Sequence, residues 1–436
     1  MNKILTLALV LITVLTACTG AKSKKEIEMK PAHVVVKQIA GKYRLVVNGE
    51  EFYVKGAGCE FGSCESIAAH GGNSFRTWRT DNGQVSGREV LDRAHEKGLM
   101  VLMGIDVARE RHGFDYNDEV AVQKQLDDIR RQVMELKDHP ALLAWGIGNE
   151  LNLRYTNKKV WDAVEGIAKM IKEVDGNHPT TTMLAGISKA EVDYIREHCP
   201  NIDFLSIQMY GDVINLQQRL LDAGYDGPYL VTEWGATGHW EVAQTEWGIP
   251  IEQTSSEKAD AIKLRYERAI LADSARCMGS YVFLWGQKQE RTPSWYGLFT
   301  EYGERTEAID VMEYFWTGNW PSVRTTRMND FRIDGKGGRF DNVRLTAGGE
   351  YSASLDIGSV VETPTLRVEI MPEPTKLSDG GDFEQRPASI EGLVLSAGLD
   401  GIKFKAPSQS GPYRIFVYVL DGKGRAATAN IPFFVN

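Results

Sequence analysis

Two glutamates in this chain have the residue type and the setting that chemistry on a sugar linkage would need. Glu150 closes the segment Ala144-Trp145-Gly146-Ile147-Gly148-Asn149-Glu150, and Glu233 lies in Leu230-Val231-Thr232-Glu233-Trp234-Gly235. Each follows a short apolar run of strand character. A carboxyl group held at a strand's end can donate a proton, accept one or attack as a nucleophile. Two of them flanking one bond are what cleavage of a glycosidic linkage requires. Taken singly, an Asn-Glu pair usually marks a surface or a cap, and a Glu after a strand often begins a helix. The weight rests on the two together, in a fixed order of strands.

Such a pair needs a scaffold that brings distant strand ends to one face. Eight short apolar runs, at 52–57, 74–78, 100–105, 142–146, 180–184, 204–209, 229–232 and 279–284, read as parallel strands buried on both faces. Helical patterns separate them. Val122, Leu126, Ile129, Val133 and Leu136 fall on one helix face, as do Trp161, Val164, Ile167 and Ile171. Ser86 with Glu89, and Ser188 with Glu191, have the spacing of capping boxes, and Gly98 after Lys97 suits a helix end. Eight such units in order predict a closed α/β (β/α)8 barrel over 34–320, with Glu150 after strand four and Glu233 after strand seven. A doubly wound sheet would bring a Gly-rich phosphate turn, and none is evident. Ahead of the barrel, Asn48-Gly49 between apolar runs predicts a hairpin. Past Trp320 the pattern becomes short alternating runs, with a turn at Asp421-Gly422-Lys423-Gly424. Residues 325–436 therefore read as a small β-sandwich of immunoglobulin-like architecture. With no obvious linker before it, this module is expected to brace the barrel.

The two glutamate motifs, in this strand order, resemble the retaining (β/α)8-barrel glycoside hydrolases, the clan that includes families 2 and 5. The resemblance covers about 45–318. It implies that Glu150 is the acid/base and Glu233 the nucleophile. Asn73-Ser74-Phe75-Arg76 is similar to the clan's Asn-x-x-Arg segment, which would set Arg76 beside Glu233 and hold that carboxylate ionised. Asn149 would bond the sugar 2-hydroxyl, Tyr210 would stand beside the nucleophile, and Trp285, after strand eight, would lie under the sugar. Further aromatics follow strands: Trp78, Trp234, Trp240, Trp247, Trp295 and Tyr296. Each could stack on a sugar ring or simply pack a loop. Asp106, Arg109 and His239 are minor polar candidates. Two departures stand out. Family 2 enzymes carry large β domains before the barrel, for which this chain has no room, and family 5 enzymes usually have His-x-Tyr where this chain has Gln208-Met209-Tyr210. A compact barrel followed by an immunoglobulin-like module resembles the endo-β-1,3-glucanases of glycoside hydrolase family 158. That resemblance implies an endo-acting, retaining β-glucan hydrolase on laminarin-type glucan. The alternatives are an exo-acting β-galactosidase or β-mannosidase type, or a lipoprotein that binds glycans without cutting them.

The ends and the composition set the remaining expectations. Lys3, the apolar run 4–15 and Leu15-Thr16-Ala17-Cys18 resemble a lipoprotein signal with its lipobox over 1–18, which implies lipidation of Cys18. Residues 19–33 read as a polar tether. The expected location is the bacterial cell envelope, with membrane contact only through that lipid; Thr19-Gly20-Ala21-Lys22 gives no support for a surface address. A net charge of −9 and the lack of a basic stripe argue against nucleic acid. Neither a metal nor a cofactor is implied, and the chain is expected to act as a monomer on a β-linked oligo- or polysaccharide. Cys59 and Cys64 are close enough in sequence for a disulfide in an exported protein, and equally suited to being free buried thiols.

Overall fold

The structure, a computed structural model, describes residues 30–60, 62–359, 364–378 and 380–436. Cys18, the apolar run before it and tether residues 19–29 lie outside the described residues. The fold opens with a meander of β1 (Val34–Ile39), β2 (Lys42–Val47) and β3 (Glu50–Phe52). Asn48 and Gly49 both take positive φ, 52° and 97°, as a two-residue hairpin turn of this twist demands. Phe52, expected in the first barrel strand, pairs with Leu45 in this meander instead, because the tight turn fixes its register. Ala32, Val34 and Leu45 pack with Val54, Leu102, Leu143, Phe204 and Leu230. The meander thus plugs the end of the barrel where the strands begin and leaves the other end for a site.

The barrel comprises β4 (Val54–Gly58), β5 (Ser74–Arg76), β6 (Met100–Ile105), β7 (Leu142–Asn149), β8 (Thr180–Ala185), β9 (Phe204–Gln208), β10 (Tyr229–Gly235) and β11 (Cys277–Phe283). All pair in parallel, and β11 closes onto β4. Around it run α1 (Cys64–Ala69), α2 (Gly87–Glu96), α3 (Glu119–Leu136), α4 (Lys159–Val174), α5 (Lys189–His198), α6 (Leu216–Asp222), α7 (Ser255–Arg265) and α8 (Glu307–Thr317). The stripes predicted from spacing on α3 and α4 face the strands, with Ile129, Val133, Trp161, Val164 and Ile167 in the common core. Ser86 and Ser188 cap α2 and α5 by accepting from the N–H of Glu89 and Glu191. The reciprocal capping box forms elsewhere, between Thr254 and Glu257 at the start of α7.

The C-terminal module consists of β12 (Met328–Ile333), β13 (Arg344–Leu345), β14 (Glu350–Ile357), β15 (Thr365–Pro372), β16 (Val394–Gly398), β17 (Gly401–Lys405), β18 (Gly411–Leu420) and β19 (Ala426–Val435). They form two four-stranded sheets, β12-β14-β17-β16 and β13-β19-β18-β15, around Phe331, Ile370, Phe404, Ile415 and Phe433. The module joins the barrel through a buried polar cluster. Lys258 bonds Glu252 at 2.5 Å, Asn430 donates to Glu252 at 2.7 Å, and Arg414 pairs with Glu373 at 2.8 Å while donating to the Pro250 carbonyl at 2.9 Å. Thr428 and Met328 also give their N–H groups to the hydroxyls of Ser255 and Ser256, at 2.9 and 2.8 Å. Cys59 and Cys64 are free, buried thiols, so of the two readings their spacing allowed, the disulfide is not the one formed.

Candidate active site

Strand geometry places the two glutamates. The pairing of β7 with β8 shifts register between Ile147 and Asn149, and that of β10 with β9 shifts between Val231 and Glu233. Such irregularities re-aim side chains at strand ends. Gly148 then takes φ 72° and Glu150 φ 51°. For a glutamate this left-handed conformation costs on the order of 1 kcal/mol. It is held by the Glu150 N–H, which donates to the Met183 carbonyl at 3.0 Å. A side chain at 148 would run into Leu151, so glycine is required two residues before the carboxylate. Both glutamates border a cavity of about 1360 Å³ at the C-terminal ends of the strands.

Glu233 sits in a ring of donors. Its Oε1 accepts from Trp78 Nε1 at 2.9 Å, Arg76 Nη1 at 3.2 Å and Gln208 Nε2 at 3.2 Å, and its Oε2 accepts from the Tyr210 hydroxyl at 2.9 Å. The Arg76 guanidinium is fully buried. Burial and then the charge of Glu233 hold the Tyr210 phenol well above its ordinary pKa, so it is a donor at neutral pH. An arrangement made wholly of donors matches an anionic carboxylate. Asn149 joins the same network: its Oδ1 accepts from Arg76 at 2.7 Å and Gln208 at 2.8 Å. Because an arginine can only donate, the oxygen must face Arg76, and this leaves Nδ2 to donate to a ligand.

Glu150 has the opposite environment. Burial first, then the charge of Glu233, push its carboxyl up to about 8, with Arg111 and Arg76 opposing. A carboxyl that keeps its proton, beside a second carboxyl bonded wholly by donors, is the arrangement that acid and nucleophile roles need.

The aromatics divide by what they face. Trp78, Phe283, Tyr210 and Tyr296 form an edge-to-face cluster with ring centroids 5.3 to 5.9 Å apart. The exposed ring of Trp240 meets Tyr210 at 5.6 Å. All five border the cavity. Trp234, expected at the sugar, does not border the cavity, whereas Trp285 does. Both are fully enclosed. Trp234 follows Glu233 on a strand, so it points the other way, onto Tyr266 at 5.6 Å. Trp285 comes after β11 has ended; it borders the cavity, but its ring is enclosed and stacks on Trp316 at 5.3 Å, while Phe283 borders the cavity beside it. Trp295 is enclosed and donates to the Thr237 carbonyl at 2.9 Å. Trp247 packs at the module junction against Phe434.

Asp106 and Arg109 pair at 3.4 Å on the cavity wall. His239 lies 3.6 Å from Glu290, which also pairs with Lys288 at 3.0 Å. Burial opposes ionisation of Glu290, but these two partners hold its pKa below the ordinary value. Sequence reasoning missed three things. Gln208 bonds both Asn149 and Glu233, yet it had registered only as a departure from a motif. Glu290 lies in a loop without periodicity. Residues 380–384 and 386, from the loop joining β15 to β16, border the cavity too, and nothing in the chain's pattern signals that a distant β loop returns to the barrel.

A closed parallel barrel with a donor-ringed carboxylate after its seventh strand and a proton-retaining one after its fourth defines the class by fold: a (β/α)8 barrel whose paired carboxyls suit glycoside cleavage. More narrowly, residues 83–242 match the family described as glycosyl hydrolases family 2, TIM barrel domain. Among solved structures, the fold is similar to a β-D-glucuronidase from Dictyoglomus thermophilum, at 16% identity and TM-score 0.51 over 66% of this chain and 54% of that one. It is also similar to β-glucuronidase 2 of Bacteroides uniformis, at 12% identity and TM-score 0.51 over 92% of this chain and 48% of that one. The chain spans about half the length of these structures.

Proposed function

We propose that this protein is a retaining β-glycoside hydrolase acting on a neutral oligo- or polysaccharide, with β-1,3-glucan the first substrate to try. The observation that carries the reading is the contrast between Glu150, held protonated up to about pH 8, and Glu233, ringed by four donors. In this reading Glu150 protonates the leaving oxygen while a Glu233 oxygen attacks the anomeric carbon. The glycosyl ester that forms neutralises Glu233, which lets Glu150 ionise and take a proton from the incoming water. The Nδ2 of Asn149 is free to bond the sugar 2-hydroxyl during both steps.

The cleft chemistry favours a neutral sugar over a uronide such as those the β-glucuronidases named above act on. Its cationic lining side chains are Arg79, Arg109, Arg154, Lys288 and Arg386, facing nine acidic side chains besides the protonated Glu150. Arg79 pairs with Glu60, Arg109 with Asp106, Lys288 with Glu290, and Arg386 with Glu301 and Glu369. An acidic surround of this kind repels a substrate carboxylate. The cavity exceeds the roughly 300–1,000 Å³ common for small ligands, which supports a chain of sugars and endo action of the family 158 kind. We also propose that Cys18 carries the lipid that ties the protein to the cell envelope. The test is product analysis with chain 19–436 on laminarin, mixed-linkage glucan, galactan, mannan and an aryl β-glucuronide. A ladder of laminari-oligosaccharides is expected. A single monosaccharide product would refute endo action, release of glucuronic acid would refute the neutral-sugar reading, and no turnover of any would refute the enzyme.

A further inference from the structure

Between β15 and β16, residues 380–384 and 386 reach from the β-sandwich to border the cavity at the mouth of the barrel. This loop is pinned at several points. Glu384 is buried, accepts from the Arg291 side chain at 2.9 Å and its N–H at 2.7 Å, and from the Ser378 N–H at 3.1 Å. Lys288 donates to the Gly381 carbonyl at 2.6 Å, and His112 bonds Asp382 at 2.8 Å. Gly380 and Gly381 both take left-handed φ, 57° and 78°, which turns the chain sharply before Phe383. That phenyl borders the cavity, yet it is 89% exposed, the most exposed large apolar side chain described. An anchored loop that holds a phenyl in water at the edge of a cleft has forgone the burial of an apolar ring, which contact with a sugar's C–H face would recover.

Its position identifies which sugar. Arg111 donates to the Glu150 carbonyl at 3.3 Å and to the Gly380 carbonyl at 3.4 Å, and a side chain at 380 would strike Leu153. The loop therefore stands on the Glu150 side. The acid donates its proton to the departing oxygen, so the ring beside it belongs to the leaving group. We propose that residues 380–384 and 386 of the sandwich loop build the leaving-group side of the cleft and that Phe383 stacks on the first glucosyl ring of the departing glucan. This rests on the β-1,3-glucanase reading above.

Two substrates sharing one glycone test it: laminaritriose, which loses glucose, and β-laminaribiosyl fluoride, which loses a fluoride with no ring. Phe383→Ala should lower kcat/KM on laminaritriose about tenfold and leave the fluoride within twofold of the parent chain, and Phe383→Trp should restore the trisaccharide. Equal effects on both substrates, or none on either, would overturn the proposal while leaving the enzyme assignment standing. If the parent chain turns over neither substrate, the β-1,3-glucan reading fails and the proposal falls with it. Because Phe383 is exposed, neither variant should alter folding, and an unchanged Tm checks this.

Discussion

Replacing Glu233 by Gln should lower the pKa of Glu150 from about 8 to about 6. The reasoning is electrostatic. At the roughly 5–5.5 Å separation of a retaining pair, two carboxylates repel by about 3 kcal/mol at an effective dielectric of about 20, or roughly two pKa units. Burial, the larger cause, stays in place, and Arg76 and Arg111 continue to favour the anion. The variant will not turn over, so the assay is a carboxyl-carbon NMR titration of glutamate-labelled protein, with the Glu150→Gln/Glu233→Gln double variant identifying the resonance. In the unaltered enzyme, kcat/KM should fall as pH rises through about 8, where the acid loses its proton. A Glu150 resonance that still titrates near 8 in Glu233→Gln would refute the argument, since burial alone would then account for the shift and the two carboxyls would not be acting on each other. Stability should carry the same signature. A carboxyl whose folded pKa is raised from 4.5 to about 8 stabilises the fold below pH 4.5, and that contribution is lost as pH rises through 8. Glu150→Gln should therefore melt a few degrees above the parent chain at pH 9, with the difference vanishing near pH 4.

The division of labour should also show in chemical rescue. Glu233→Ala should lose hydrolysis and, with azide, give a glycosyl azide of inverted configuration, whereas Glu150→Ala should keep turnover of dinitrophenyl glycosides and give an azide product of retained configuration. Exchanged outcomes, read by proton NMR, would reverse the roles. Trp78→Phe removes the Nε1–Glu233 bond and should lower kcat about 10- to 100-fold with little change in Tm, while Trp285→Phe should lower stability by about 1–3 kcal/mol with kcat/KM nearly unchanged; a shared pattern would contradict the separate placement of the two rings. Cys18→Ala should release the protein from the membrane fraction or block its processing, and unchanged fractionation of that variant would rule out the lipid anchor.

Periodicity made the barrel legible. Parallel strands buried on both faces are largely apolar, Thr180–Thr182 of β8 and Ser74 and Arg76 of β5 aside, and helices such as α4 keep a strict stripe, so eight units are countable and the two glutamates fall at strand ends. What periodicity could not supply was the last residue of each strand. One residue's difference in where β11 stops decides how the rings at 283 and 285 are turned at the cavity edge, and an alternation of side-chain direction separates Glu233 from its neighbour Trp234. Contacts between segments far apart in the chain were equally out of reach. Gln208 acts through two partners on other strands, and the Arg111–Gly380 contact joins positions 269 residues apart. Such contacts follow from tertiary packing and leave no local pattern.

The ion cluster between barrel and sandwich has a consequence for how the chain can be cut or recombined. Severing it near residue 320 would strip Glu252 of Asn430 and expose the hydroxyls of Ser255 and Ser256 without the N–H groups they accept. Each hydrogen bond lost at this seam costs roughly 0.5–1.5 kcal/mol, and together they are a sizeable share of what a domain has to spare. The barrel is thus not an autonomous cassette. Heating should melt both parts in a single transition, and a chimera that grafts this barrel onto a foreign sandwich would need the Arg414–Glu373 and Asn430 side of the seam carried across with it.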